Sequence, residues 1–374
     1  MHIRKSIALF LVISLTHALS AAAVTPEKFE PQTLPINSPA PDFSLPATDG
    51  KTYSLADFAV AKILVIIFTS NHCPTAQAYE SRIQQIATDY KDKGVALVAI
   101  NPNDPTALRL DELGYTDLSD DLASMKLRAA DHHFTFPYLY DGDTQSTAKA
   151  YGCQATPHVF IFDQSRHLRY TGHIDDSDVH TPKHNDARNA IDALLAGVPV
   201  PVEKTHVFGC STKWSFKRDE VAKYIETVNA EPVTLSTIDL PTLQTLAKND
   251  SKKLRLINFW ATWCGPCTAE LPEFVTINRM YRKRPFEMIT VSLDEPDKKN
   301  DAESTLKDLH VSSANYLFTG DRDAMMKSID PAWEGPIPHT LLIAPGGKIL
   351  YHHTGEIDPL ELKRAIVNYL GRTY

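Results

Sequence analysis

Two continuous apolar runs stand out along the chain, "KILVIIF" at Lys62–Phe68 and "LRLINFW" at Leu254–Trp260. Runs of this kind are what strands buried on both faces require. Each is followed by a short turn holding a cysteine and then by an amphipathic stretch. In the first such stretch, Ile83, Ile86 and Ala87 recur at helical spacing within "ESRIQQIATDY". A second apolar strand comes next, "ALVAIN" in one half and "EMITVS" in the other. Further on, "HVFIFDQSRHLRYTG" and "HTLLIAPGGKILYHHTG" read as hairpins, the latter turning at "PGG". Both halves close on helical segments, "ARNAIDALLAG" and "LELKRAIVNYLG".

The halves are one pattern written twice. At a constant offset Phe68 falls on Phe259, Cys73 on Cys264 and Tyr90 on Tyr281. "TPHVFIFD" then lies over "IPHTLLIA", and "YTGHID" over "HTGEID". Two α/β domains of one architecture explain this, each a central mixed sheet flanked by helices. The length of 374 residues suits about two to three domains. The expected boundaries are 37–197 and 232–374. Between them, 198–231 reads as a linker, extended where Pro and Val alternate and helical over Lys217–Asn229. The first half carries an acidic, helix-prone insertion around Ser119–His133. "YRKR" at Tyr281–Arg284 reads as an exposed helix end.

Residues 1–23 have the layout of an export signal: a basic "MHIRK", a short apolar "SIALFLVISL" and small residues before a cleavage point. The apolar run is shorter than the roughly 20 residues that span a bilayer, and no later segment reads as transmembrane. The expected location is the periplasm or another extracytoplasmic space, where disulfides persist. A net charge of −8 argues against nucleic acid as a partner. Five cysteines are too few to staple a chain of this length, and an odd number implies a free or reactive thiol.

The strongest chemical signal is "FWATWCGPCTAELPEF" at Phe259–Phe274. A cysteine at a helix N-terminus meets the positive end of the helix dipole and unpaired N–H groups, which favour the nucleophilic thiolate. Cys264 is placed to attack a disulfide, and Cys267, three residues on, to resolve the mixed disulfide. Gly265 and Pro266 form the tight turn between them, and Trp263 precedes it. A zinc site needs further ligands at suitable spacing, and none flanks the pair. Covalent haem needs CxxCH, whereas Thr268 follows Cys267. No cofactor and no metal are implied.

From near Pro232 onward the chain resembles thioredoxin-fold oxidoreductases, and "NFWATWCGPC…ELP" is similar to their TlpA-like, extracytoplasmic branch. The resemblance implies a cis Ile337–Pro338 bond facing the cysteines and a helix kink at Pro272. It implies protein thiols or disulfides as substrates, and a redox donor or acceptor that in this branch can be membrane-embedded. Asn258 stands where thioredoxins carry a buried Asp. His339 stands where cytochrome-maturation members carry an acidic residue. It is read either as a strand residue or as an aid to proton transfer.

In the first half Cys73 occupies the attacking position, Ala76 the missing second position and Pro157 the cis-proline position. The segment Ser38–Trp214 resembles peroxiredoxin-like (AhpC/TSA, redoxin) proteins on "NHCP", "INPND", "TPHVF", "HIDD" and "FGCSTKW". Three readings stand side by side. One is a one-cysteine peroxidase, with Ser70 in the threonine place of P-x3-T-x2-C and Ile66 in the proline place. Another is a thiol–disulfide module whose resolving partner is Cys153 or Cys210. The third is a buried structural thiol. A charged His72 would stabilise the neighbouring thiolate. The pairs His132–His133 and His352–His353 and the loop His173–His184 read as solvated residues. The expected function is an exported thiol–disulfide oxidoreductase acting as a reductase. The alternatives are a peroxidase fused to its own reductant domain and a non-enzymatic binding or assembly module.

Overall fold

The computed structural model describes residues 30–374, of which 31–374 form one compact body. The export signal expected over 1–23 lies outside the described residues. A short antiparallel hairpin, β1 (Ser44–Pro46) and β2 (Thr52–Ser54), comes first. The first half then runs β3 (Ile63–Phe68), α1 (Pro74–Tyr90), β4 (Val95–Asn101), α2 (Leu122–Asp131), β5 (Tyr138–Tyr140), α3 (Ser146–Tyr151), β6 (Ala155–Thr156), β7 (His158–Phe162), β8 (Leu168–Gly172) and α4 (Asp186–Leu195). After it come β9 (Cys210–Ser211) and α5 (Arg218–Asn229). The second half runs β10 (Ser236–Ile238), α6 (Leu240–Lys248), β11 (Leu254–Trp260), α7 (Gly265–Tyr281), β12 (Phe286–Ser292), α8 (Lys299–Asp308), β13 (Ala314–Phe318), α9 (Arg322–Ile329), β14 (His339–Ile343), β15 (Ile349–Thr354) and α10 (Pro359–Leu370).

The two main sheets share a topology. The first is ordered β5-β4-β3-β7-β8, and the second β13-β12-β11-β14-β15 with β10 added outside β13. In both, the strand that leads to the cysteine is parallel to one neighbour and antiparallel to a hairpin on its other side. Parallel strands joined through a helix, followed by an antiparallel hairpin and a closing helix, make a thioredoxin fold in each half. The register repeats as well: Phe68 pairs with His158, and Phe259 with His339.

The apolar runs are continuous because both faces are covered. Ile63, Val65 and Ile67 pack with Ile83 and Ile86 of α1 and with Ala190 and Ile191 of α4. On the opposite face Phe68 meets Tyr151 of α3 and Phe160 of β7 edge-on, at centroid distances of 5.7 Å each. In the second half Leu254, Leu256 and Trp260 join α7 and α10. Their neighbours Ile257 and Phe259 join Leu243 of α6 and Met325 of α9. This alternation is the period-two geometry of a strand. It also turns Asn258 to the α7 side.

Two segments differ from their sequence reading. "YRKR" is an interface, not an exposed helix end. Tyr281 is fully buried, and its hydroxyl donates to Thr116 O of the first half at 2.7 Å. Arg284 donates to Gly114 O at 2.7 Å and to Leu370 O at 2.5 Å, and its guanidinium lies 3.8 Å from the Tyr115 ring centroid. Lys283 pairs with Asp111 and Arg282 with Glu231. Leu108 and Leu113 of the first half belong to the same apolar cluster as Val275 and Met280. Polar helix ends recruited this way satisfy carbonyls that the interface has removed from water.

The second difference is the linker. Its extended part lies along the edge strand β8: Thr171 N donates to Glu203 O at 3.0 Å, and Thr205 N to Thr171 O at 3.1 Å. An edge strand offers unpaired N–H and C=O groups, and the Pro/Val segment takes them. It then crosses to β6, where Ala155 pairs with Ser211 and Thr156 with Cys210. The segment therefore completes the first half rather than spacing it from the second.

Candidate functional site

Each half starts its long helix on a cysteine. Cys73 is the N-cap of α1 and Cys264 the N-cap of α7. Pro74 and Pro266 stand in the first helical turn, where a missing N–H is no loss. Each sulfur accepts an amide N–H from three residues on: Ala76 N reaches Cys73 Sγ at 3.4 Å, and Cys267 N reaches Cys264 Sγ at 3.3 Å. Each also lies against the carbonyl before a cis proline, Thr156 O at 3.2 Å and Ile337 O at 3.6 Å. Thr156–Pro157 and Ile337–Pro338 are both cis.

In the second half Cys264 and Cys267 are joined as a disulfide. Cys264 is 7% exposed, Cys267 is fully buried, and the neighbouring Trp263 is 65% exposed. The accessible side of the pair is the Trp263–Cys264 face, past Gly265, beside which there is open space. Glu270, to which the sequence assigns no role, is buried on the same helix. It follows Cys267 by three positions on α7, so both share one helix face. Asn258 Nδ2 donates to Glu270 Oε1 at 3.1 Å, and Ile357 N to Oε2 at 3.1 Å. Burial pushes the Glu270 carboxyl up to about 7, outweighing both bonds. On the reduced pair, a carboxyl titrating near neutrality on the helix face of Cys267 is suited to exchange a proton with its thiol.

Pro338 precedes His339, which is buried and stacked on Trp333 with centroids 4.3 Å apart. Its Nδ1 is 2.8 Å from Thr354 Oγ1 and its Nε2 3.2 Å from Asp330 Oδ2. Burial lowers it to about 4 despite Asp330, so the ring is neutral at physiological pH.

In the first half Cys73 is fully buried and faces Cys210, not Cys153. The Cys210 amide donates to Cys73 Sγ at 3.3 Å. Cys153 turns to Ala155 O at 3.4 Å and Thr212 Oγ1 at 3.5 Å, and burial pushes its thiol up to about 12. Cys210 is half-buried on β9. Burial opposes a Cys73 thiolate, but the Cys210 side chain, the charge of His72 and the Ala76 and Cys210 amides outweigh it and lower the group.

His72 is 1% exposed, and its Nδ1 lies 2.5 Å from Asp120 Oδ2. Burial pulls the imidazole down, yet Asp120 lifts it above its usual value. Asp120 also accepts from Asn71 N at 2.8 Å, His72 N at 3.2 Å and Asn103 Nδ2 at 2.7 Å. It sits just before α2, in the insertion, and no sequence spacing ties it to His72. Ser70 Oγ is 2.8 Å from Thr156 Oγ1, so the hydroxyl in the peroxide-binding place is engaged within the protein. Among the described residues no group of three or more His, Cys, Asp and Glu is arranged to hold a metal ion. No described helix is long and apolar enough to cross a membrane.

The chain is similar to a protein named thiol-disulfide oxidoreductase ResA from Oceanobacillus iheyensis. The two are 31% identical over 120 residues, covering 32% of this chain and 55% of the relative. The chain spans about half the length of the curated relatives it matches. Among solved structures it is similar to a hypothetical protein from Sinorhizobium meliloti 1021, at 34% identity and a TM-score of 0.45. That match covers 49% of this chain and 97% of the other. An uncharacterized conserved protein from Geobacillus kaustophilus is similar at 38% identity and a TM-score of 0.44, covering 48% of this chain and 93% of the other. The Redoxin family model matches both repeats, over residues 35–191 and 228–367, and the chain belongs to the Redoxin family.

Proposed function

We propose that the chain is a thiol–disulfide oxidoreductase that reduces disulfides of extracytoplasmic proteins through Cys264 and Cys267. The observation that carries this reading is the Cys264–Cys267 disulfide at the start of α7, with the exposed Trp263 next to Cys264 and Glu270 three positions beyond Cys267 on the same helix. In the reduced chain the Cys264 thiolate attacks a substrate disulfide and one substrate thiolate leaves. Cys267 then gives its proton to the Glu270 carboxylate and attacks Cys264 Sγ. The disulfide closes and the second substrate sulfur leaves as a thiol after taking a proton. Two electrons pass from the cysteine pair to the substrate. The name borne by the ResA relatives agrees with this chemistry. Export rests on the N-terminal sequence alone, and a membrane-embedded donor rests on the TlpA-like resemblance.

The test is catalysed reduction of insulin disulfides by the full chain in the presence of dithiothreitol. Turnover that disappears in Cys264→Ser supports the reading. A rate no faster than dithiothreitol alone overturns it.

A further inference from the structure

We propose that Cys73 and Cys210 form a second dithiol–disulfide couple, in which the chain's own Gly209–Thr212 segment occupies the groove beside the cis proline as an internal client. The proposed acceptor and donor class is the vicinal dithiol–disulfide pair. This goes beyond the activity assigned to Cys264 and Cys267 and does not depend on it.

Three observations support it. First, β9 runs antiparallel to β6 and sets Cys210 opposite Thr156, the residue before the cis Pro157. In the second half no strand pairs with the equivalent Ile337 among the described residues. Second, the placement is enforced. Gly209 has φ +139°, and a Cβ there would stand 2.1 Å from Thr156 O, so only glycine lets the segment lie this close. Third, the buried His72 beside Cys73 has its Nδ1 on Asp120, while its Nε2 is a buried nitrogen with no hydrogen-bond partner. A buried polar atom of this kind carries a penalty that a structural histidine would avoid. Protonated, it balances a thiolate at Cys73.

The geometry also orders the sulfurs. Cys73 is fully buried and Cys210 is not. A donor thiolate therefore attacks Cys210 Sγ of the closed couple, forming a mixed disulfide, and the Cys73–Cys210 bond breaks. Cys73 leaves as a thiolate held by the Ala76 and Cys210 amides and by His72. The donor's second thiol then attacks its own partner sulfur in the mixed disulfide and releases Cys210. The donor becomes a disulfide. Its two electrons stay on the couple, with one proton on Cys210 and one on His72. The reverse path passes the electrons to an incoming disulfide.

The experiment equilibrates the full chain in buffers of defined reduced-to-oxidised dithiothreitol ratio, quenches with acid, blocks free thiols in denaturant and maps linked peptides by mass spectrometry. The expected result is a Cys73–Cys210 peptide that disappears as the ratio rises, with Cys153 alkylated throughout. The Cys264–Cys267 peptide in the same digest reports the other site separately. His72→Asn should shift the Cys73–Cys210 midpoint about tenfold toward more reduced dithiothreitol, since each unit lost in thiolate acidity is a factor of ten, and leave the Cys264–Cys267 midpoint unmoved. A Cys73 that stays alkylatable where Cys264–Cys267 is fully oxidised overturns the proposal, as does a Cys73–Cys153 peptide. An unchanged midpoint in His72→Asn removes the histidine's part in it.

Discussion

Asn258 and Glu270 are bonded between the central strand and the dithiol helix of the second half, Asn258 Nδ2 to Glu270 Oε1 at 3.1 Å. The same amide reaches Thr340 Oγ1 at 3.2 Å, so strand β11, helix α7 and strand β14 share one side chain. The carboxyl it holds is buried and raised to about 7. Two consequences can be measured.

The first is kinetic. Glu270→Gln cannot accept the Cys267 proton, and general-base loss of this kind costs about a hundredfold in rate. Insulin reduction should slow by that order, and its dependence on pH near 7 should flatten. An unaltered profile would remove Glu270 from the proton path.

The second is a stability slope. The folded carboxyl holds its proton to about pH 7, whereas the unfolded one releases it near the ordinary 4.5. The native state thus binds more protons between those values, and stability falls as pH rises through that window, by about 1–3 kcal/mol. Urea midpoints of the oxidised protein should show the decline, and Glu270→Gln should lack it.

Asp120 is the acceptor for three buried side-chain or backbone donors besides the His72 ring. Asp120→Ala leaves them unpaired and should cost roughly 3–5 kcal/mol, more than Asp120→Asn. The charges also impose a pH window. Asp120 is lowered, so its contribution is present above the ordinary 3.8 and fades as pH falls through the lowered value. His72 is raised, so its contribution is present below the ordinary 6.5 and fades as pH rises through the raised value. Thermal unfolding against pH should therefore separate wild type from Asp120→Asn most widely between those two limits. A gap of constant size across pH would mean that the pair is not ionised.

Gly209→Ala should lift β9 from β6, because the new Cβ would sit 2.1 Å from a backbone oxygen. The strain is of order 1–3 kcal/mol. Cys73, shielded in the native chain, should then react with iodoacetamide, and mass spectrometry of the labelled digest reads this directly. Unchanged protection of Cys73 would show that β9 is not its cover.

At the interface of the halves, Arg284→Ala strips donors from Gly114 O and Leu370 O. Each buried carbonyl left unpaired costs about 1–3 kcal/mol. Calorimetry should show one unfolding transition for the native chain and a broadened or divided one for the variant. A single unshifted transition would place the coupling elsewhere.

The repeat and the apolar runs made the paired folds legible, because strands covered on both faces leave an unbroken signature such as Ile63–Phe68. The Cys264–Cys267 disulfide was legible from spacing. Glu270 was within reach of the same logic, as it lies three positions beyond Cys267. Asp120 was not, since nothing local marks a carboxylate that meets His72 only through the fold. Cys153 and Cys210 were indistinguishable in sequence, and the choice between them depends on a Pro/Val segment finding the edge of β8. "YRKR" departs from its expected place because cationic helix ends are usually hydrated, whereas here Lys283 meets Asp111 and Arg284 a carbonyl of the first half.

The clamp on Tyr281 and Arg284 makes α7 a lever fixed at one end. The helix is seventeen residues long, with the sulfur pair in its first turn and Tyr281 as its last residue, a length of about 25 Å at the usual rise. The reactive end of the second repeat thus takes its bearing from the first. Cut away at the boundary near residue 232, the second repeat would bare the apolar surface around Val275 and Met280 that Leu108 and Leu113 now cover. The two copies of the repeat thus share one apolar cluster, the first serving as the footing for the helix that carries the second's disulfide.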